Sequence, residues 1–261
     1  MPVSSPGALD DPIAAAAPIV TGRLALHGGG EFMPGDEAFL DALLAAARAG
    51  PSSNGVLHAV VVPTAAARGR PDLAASNGVA ALERRASAVG IPISVSVARV
   101  VDDASADDER LAAEIAAADL VYLPGGDPDL IPAILPSSAA GRAMREAFGR
   151  GATIAGASAG AMALAAWTWT PAGGVAGLGY VPRVAVVPHF DEARRRSWQE
   201  SAERMGPRGV GYLGLDERTG VISATDPGAD WLVAGEGAAH WYPLGASTPV
   251  VARDGERLRL D

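Results

Sequence analysis

Short apolar runs alternate along the chain with longer stretches in which apolar residues recur every three or four positions. The runs at 23–28 (RLALHG), 56–64 (VLHAVVVPT), 91–100 (IPISVSVARV), 119–126 (DLVYLPGG) and 152–157 (ATIAGA) read as buried strands. Between them, GDEAFLDALLAAARAG, DLAASNGVAALERRASAVG, DDERLAAEIAAA and AAGRAMREAFGRG carry the spacing of amphipathic helices, most of them ending near glycine. This alternation predicts an α/β fold, a mostly parallel sheet with helices on both faces. A further strand-like run, VAVVPHF at 184–190, precedes a helix expected over 191–206. Beyond it the pattern shortens. GVISA, DWLVAG, AAHWYPL and TPVVARD read as short strands, expected antiparallel at one edge of the sheet. Residues 1–21 read as a loose extension and 22–261 as one catalytic domain, with no repeat or dividing linker.

Composition narrows the chemistry. Apolar residues fill 49% of 261 positions, enough to bury a large core. A net charge of −9 with no basic run argues against nucleic acid or an anionic membrane as partner. All 21 basic residues are arginine, so lysine bases and lysine Schiff bases are excluded. Cysteine is absent, which excludes a thiol nucleophile, disulfides and thiolate metal sites. The N-terminal stretch has no basic n-region and no apolar run nears the ~20 residues of a membrane span, so a cytoplasmic protein is the expectation. No histidine pair has ligand spacing, DDASADDE at 102–109 reads as a solvated loop, and the glycine loops lack a P-loop lysine. No metal and no cofactor are therefore expected. The sequence leaves open whether the protein forms a homo-oligomer.

Three glycine clusters change the picture: GGGE at 28–31, PGGD at 124–127 and GASAG at 156–160. They fall at the carboxyl ends of expected strands, where such sheets gather their ligands. Gly-Ala-Ser-Ala-Gly also fits the G-x-S-x-G nucleophile elbow, a sharp strand-to-helix turn that exposes the serine oxygen. Small neighbours suit a strained turn, and the following AGAMALAAW would supply the helix whose first N–H groups stabilise an oxyanion. Ser158 then needs a base. His58 lies inside a strand and His240 among the distal strands, where both read as structural. His27 opens HGGGE on the rim, where it either lines the pocket or packs. His189 ends VAVVPHF at the carboxyl end of a strand and is the candidate base. The acid that orients it is Asp216 or Glu217, in GLDERTGVI; side chains alternate along a strand, so only one can face His189.

LHGGGEF, LPGGDPDLI, GASAGAMAL, VPHF and GLDERTGVI, in this order, resemble the cyanophycinase and aspartyl dipeptidase family of serine peptidases over about residues 22–235. The resemblance implies a fold like class I glutamine amidotransferases. It implies Ser158 as nucleophile, His189 as general base and Glu217 as the acid, with the backbone N–H groups of Gly126 and Ala159 as the oxyanion hole. Small aspartyl peptides or isopeptides are the implied substrates. Asp127 and Arg195 are candidates for contacting them, unless Arg194, Arg195 and Arg196 simply form an exposed helix face. Two departures stand out: Val187 and Pro188 occupy the places of an acid and a glutamine in cyanophycinases, and position 27 is usually apolar.

Two other functions fit parts of the pattern. HGGG followed by G-x-S-x-G also occurs in α/β-hydrolase esterases, which would recruit Ser158, Asp216 or Asp226, and His240. A non-catalytic binding module on an amidotransferase-like fold is the other.

Overall fold

The computed structural model describes residues 22–50, 55–170, 173–191, 209–224 and 230–260. The expected extension at 1–21, the helix expected over 191–206, the arginines at 194–196 and Asp226 lie outside the described residues, Asp191 apart. The first half alternates as the apolar pattern requires: β1 (Arg23–His27), α1 (Glu37–Arg48), β2 (Leu57–Val61), α2 (Pro71–Ala88) and β3 (Ile93–Val97). Then come α3 (Asp103–Ala106), α4 (Glu109–Ala117), β4 (Leu120–Leu123), α5 (Leu130–Ile134), α6 (Ala139–Gly149), β5 (Thr153–Ala157) and α7 (Ala159–Leu164). Among the described residues that follow, the elements are strands: β6 (Ala165–Thr170), β7 (Gly173–Ala176), β8 (Val181–Val187), β9 (Gly211–Leu215), β10 (Thr219–Ser223), β11 (Trp231–Gly235), β12 (Ala238–Tyr242), β13 (Val250–Arg253) and β14 (Arg257–Leu258).

Among the described residues the main sheet has eight strands in the order β14-β11-β10-β1-β5-β4-β2-β3. Five of them, β1, β5, β4, β2 and β3, run parallel. Alternation along each strand sends Leu24, Leu26, Val121 and Leu123 to one apolar cluster, shared with α4 and α6. Ala25, Ala59, Val61 and Tyr122 go to the other, shared with α1 and α2. Helices thus cover both faces.

Four features depart from the sequence reading. The late strands do not all extend one edge: β10, β11 and β14 add antiparallel to β1, whereas β9, β12 and β13 join β6–β8 in a second, six-stranded sheet ordered β13-β12-β9-β8-β6-β7. Pairing across nearly two hundred residues (Ala25 with Ile222) leaves no local mark in the sequence. The helix after the elbow stops at Leu164, because the β-branched and aromatic residues of AAWTWT favour a strand. The run at 93–97 is an edge strand and only half-buried, with Ser94 and Ser96 on one face and Ser94 exposed. Finally, the acids of 102–109 are helix caps rather than a bare solvated loop. Asp102 and Ser105 form a capping box for α3, and Asp108 accepts the Arg110 and Leu111 N–H groups at the start of α4. Among the described residues no helix is long and apolar enough to cross a membrane.

Candidate active site

β1, β5 and β4 lie side by side, with His27 level with Ala157 and Leu123 level with Gly156. The three glycine clusters therefore leave one rim together. Ser158 turns the chain from β5 into α7 with φ 48° and ψ −113°, a conformation that costs a non-glycine residue about 1–3 kcal/mol. Its neighbours are small because backbone touches backbone. A Cβ on Gly156 would lie 2.5 Å from the Gly160 backbone, and one on Gly160 would lie 2.2 Å from the Leu123 carbonyl oxygen.

The structure brings Ser158, His189 and Glu217 together. Ser158 Oγ lies 2.9 Å from His189 Nε2, and His189 Nδ1 lies 2.8 Å from Glu217 Oε1. With Glu217 as acceptor the ring proton belongs on Nδ1, which leaves the Nε2 lone pair for the serine hydroxyl. His189 follows β8, from the second sheet; Glu217 sits in the turn from β9 to β10, between the two sheets. The Glu217 side chain is 55% exposed, so its contact orients the imidazole more than it stores electrostatic energy. Asp216 faces elsewhere: Oδ2 accepts the Ala238 N–H at 3.0 Å and Oδ1 lies 3.3 Å from His240 Nε2. His240, on β12, also packs against the ring of Phe190. The hydroxyl of Ser158 meets His189, not His240.

The end of β1 and the loop after it tie these parts to one another. The His27 carbonyl accepts the Ser158 N–H at 2.9 Å, the Gly28 carbonyl accepts the His189 N–H at 2.7 Å, and the Gly29 carbonyl accepts the Arg218 N–H at 2.7 Å. Three consecutive carbonyls thus anchor the segments that carry serine, histidine and glutamate. Gly29 (φ 112°) has to be glycine, since a Cβ there would sit 2.2 Å from His189 Cε1. His27 does not line a pocket. It is fully buried, its ring packed at a tilt on Phe39 with centroids 4.4 Å apart, with Nε2 2.9 Å from Asp36 Oδ1 and Nδ1 accepting the Gly29 N–H at 3.3 Å. Asp36 Oδ2 in turn accepts the Phe32 N–H at 2.8 Å. Sequence reasoning placed HGGGE on the rim but gave no sign of this bracing, because carbonyl partners are not encoded in side chains.

Gly126 and Ala159 present backbone N–H groups that have no acceptor among the described residues. Gly126 (φ 154°) packs so tightly that a Cβ would lie 2.2 Å from the Ala65 carbonyl oxygen. Beside it opens a cavity of about 560 Å³ lined by Glu31, Phe32, Arg68, Arg70 and Asp127, among others. Asp127 is already committed: Oδ1 accepts the Asp129 N–H at 2.9 Å and Oδ2 lies 2.7 Å from Arg68 Nη1. The Asp129 N–H, with Arg68 adding to it against partial burial, holds this carboxyl below the usual carboxylate range. Arg195 lies outside the described residues. Sequence reasoning missed Glu31, Arg68 and Arg70, whose positions on the cavity wall follow from the sheet order alone. Among the described residues no group of three or more His, Asp or Glu side chains could hold a metal ion.

Residues 24–225 match peptidase family S51. Among solved structures the chain is similar to a peptidase from an acI-B1 Actinobacterium, with 24% identity and a TM-score of 0.75, covering 92% of this chain and 97% of that one. It is also similar to a protein assigned to peptidase E from Listeria monocytogenes EGD-e, with 13% identity and a TM-score of 0.52, covering 89% and 98%. These likenesses show the fold, which is class I glutamine amidotransferase-like. No curated protein matches the chain.

Proposed function

This chain belongs to peptidase family S51 and is a hydrolase acting as a peptidase, and from that premise we propose that Ser158, His189 and Glu217 are its catalytic triad. The observation that carries the proposal is the unbroken chain of contacts from Ser158 Oγ through His189 to Glu217, at 2.9 and 2.8 Å. Ser158 Oγ attacks the scissile carbonyl while His189 Nε2 takes its proton. Glu217 keeps the imidazole in the right tautomer and stabilises it once charged. The negative charge that develops on the carbonyl oxygen is met by the N–H groups of Gly126 and Ala159. The imidazolium then protonates the departing amine, and water, activated by the same histidine, releases the acyl group.

For substrate we propose small peptides or isopeptides with aspartate on the acyl side. The cavity beside Gly126 is large enough for a dipeptide and offers arginine for a carboxylate. Arg68 is neutralised by Asp127, whereas Arg70 has no counter-ion among the described residues. Arg195 remains the candidate supplied by the family resemblance. The test is free aspartate release from a panel of α- and β-aspartyl dipeptides, with wild type beside Ser158→Ala. Release by wild type alone is expected, and the preferred leaving residue identifies the specificity. Equal release by both proteins would remove Ser158 from the mechanism; no release from the aspartyl panel, with cleavage of dipeptides lacking aspartate by wild type alone, would remove the substrate proposal alone.

A further inference from the structure

We infer that Glu31 is a positioning residue for the oxyanion hole, its carboxylate holding the Gly125–Gly126 turn so that the Gly126 N–H meets the developing charge. The inference rests on the reading of Ser158 as nucleophile. Glu31 Oε1 accepts the Gly125 N–H at 2.8 Å, a contact made across 94 positions of sequence. Gly125 lies directly against the nucleophile: a Cβ built on it would be 3.1 Å from Ser158 Cβ and 2.8 Å from Glu31 Oε1. Only a residue without a side chain lets serine and glutamate approach from its two sides.

The flanking bonds show why an anchor matters. The Asp127 N–H is fixed to the Ala65 carbonyl at 2.7 Å, so the turn is held after Gly126 by backbone and before it by Glu31. Without Glu31, two successive glycines have no side chain to restrict their rotation. A hydrogen bond to a carboxylate is also shorter and stronger than one to a neutral acceptor, which suits a clamp. Yet a negative charge close to a forming oxyanion opposes catalysis. An acceptor is needed at this place, then, and its charge is not. That asymmetry separates the clamp from a mere surface carboxylate.

A fluorophosphonate probe tests the clamp without any knowledge of the peptide substrate. Ser158 Oγ bonds to phosphorus as the P–F bond breaks, the hydroxyl proton passes to His189, and fluoride leaves. The phosphoryl oxygen occupies the oxyanion hole, so the labelling rate reports the alignment of its N–H groups. Labelling of the full chain is compared for wild type, Ser158→Ala, Glu31→Ala and Glu31→Gln, each with its pH profile and thermal unfolding. Glu31→Ala is expected to label about 10- to 100-fold more slowly, with the midpoint of the pH profile unmoved because His189 is untouched. Glu31→Gln, which keeps the acceptor, is expected to recover most of that rate. Glu31→Ser, too short to reach Gly125, serves in place of Glu31→Ala if that variant does not fold. Unchanged labelling of Glu31→Ala, a shifted pH midpoint, or a loss in Glu31→Gln as large as in Glu31→Ala would each overturn the inference while leaving the triad standing. Labelling of wild type and Ser158→Ala alike would overturn the nucleophile and the clamp together.

Discussion

Ser158 and His189 both sit at positive φ, 48° and 51°, and the site is built to hold them there. Each has its N–H fixed by a backbone carbonyl, Ser158 by that of His27 at the end of β1 and His189 by that of Gly28 just after it, so backbone hydrogen bonds help to hold the strained turns. Gly29 is the residue on which this depends most. Gly29→Ala would put a Cβ 2.2 Å from His189 Cε1 at a φ of 112°. The expected outcome is a fall in kcat of at least about 10-fold through displacement of the imidazole, with a far-ultraviolet spectrum like that of wild type. Steady-state kinetics on whichever aspartyl dipeptide the wild type cleaves best checks it. A variant with wild-type kcat would show that the ring adjusts without loss.

In the proposed mechanism the element that joins catalysis to specificity is the turn after β4. Gly126 would supply an oxyanion N–H there, and Asp127 closes the turn by accepting the Asp129 N–H and pairing with Arg68. Because the folded protein holds the Asp127 carboxyl below its ordinary range, its ionised form favours folding. That contribution is present above the unfolded carboxylate range and is lost as pH falls through the lowered value. Thermal unfolding of wild type and Asp127→Asn is therefore expected to differ most above the ordinary carboxylate range and to converge as pH falls below it. For a pair this exposed the difference should stay within about 1 kcal/mol. A gap that widened on acidification would contradict the assignment. The elbow itself was legible at this scale, since G-x-S-x-G between a strand-like and a helix-like run dictates a tight turn. The extent of the following helix was not, because AAWTWT is committed to a strand by partners on β7 and β8.

At the scale of the whole molecule, the candidate triad is assembled across two sheets. Ser158 belongs to the main sheet, His189 to the end of the second, and Glu217 to the crossing between them. Phe190, next to His189 and fully buried, packs against β9 and β12 of the second sheet; a Cβ on Gly214 would lie 2.4 Å from its ring. Gly214→Val is expected to push Phe190, move His189 and lower kcat by about 10-fold or more, while the parallel half of the main sheet keeps its structure. Hydrogen exchange should then show loosening confined to β8 and β9 and their neighbours. Full activity in this variant would mean that His189 is placed independently of Phe190.

The amino-acid sequence by itself determined the parallel half of the fold, since apolar periodicity there is set by local burial: β1, α1, β2, α2, β4, α6 and β5 all lie where the pattern puts them. It also determined the chemistry on offer, because without cysteine or lysine a serine among glycines has few other partners than histidine. Tertiary structure alone decided which acid faces His189, with Glu217 turned towards it and Asp216 towards Ala238 and His240. It alone divided the late strands between two sheets, and made His27 a buried brace and Glu31 a neighbour of Gly125. The physical reason is the same in each case. Periodicity records whether a residue is buried, whereas these outcomes depend on which distant backbone it is buried against.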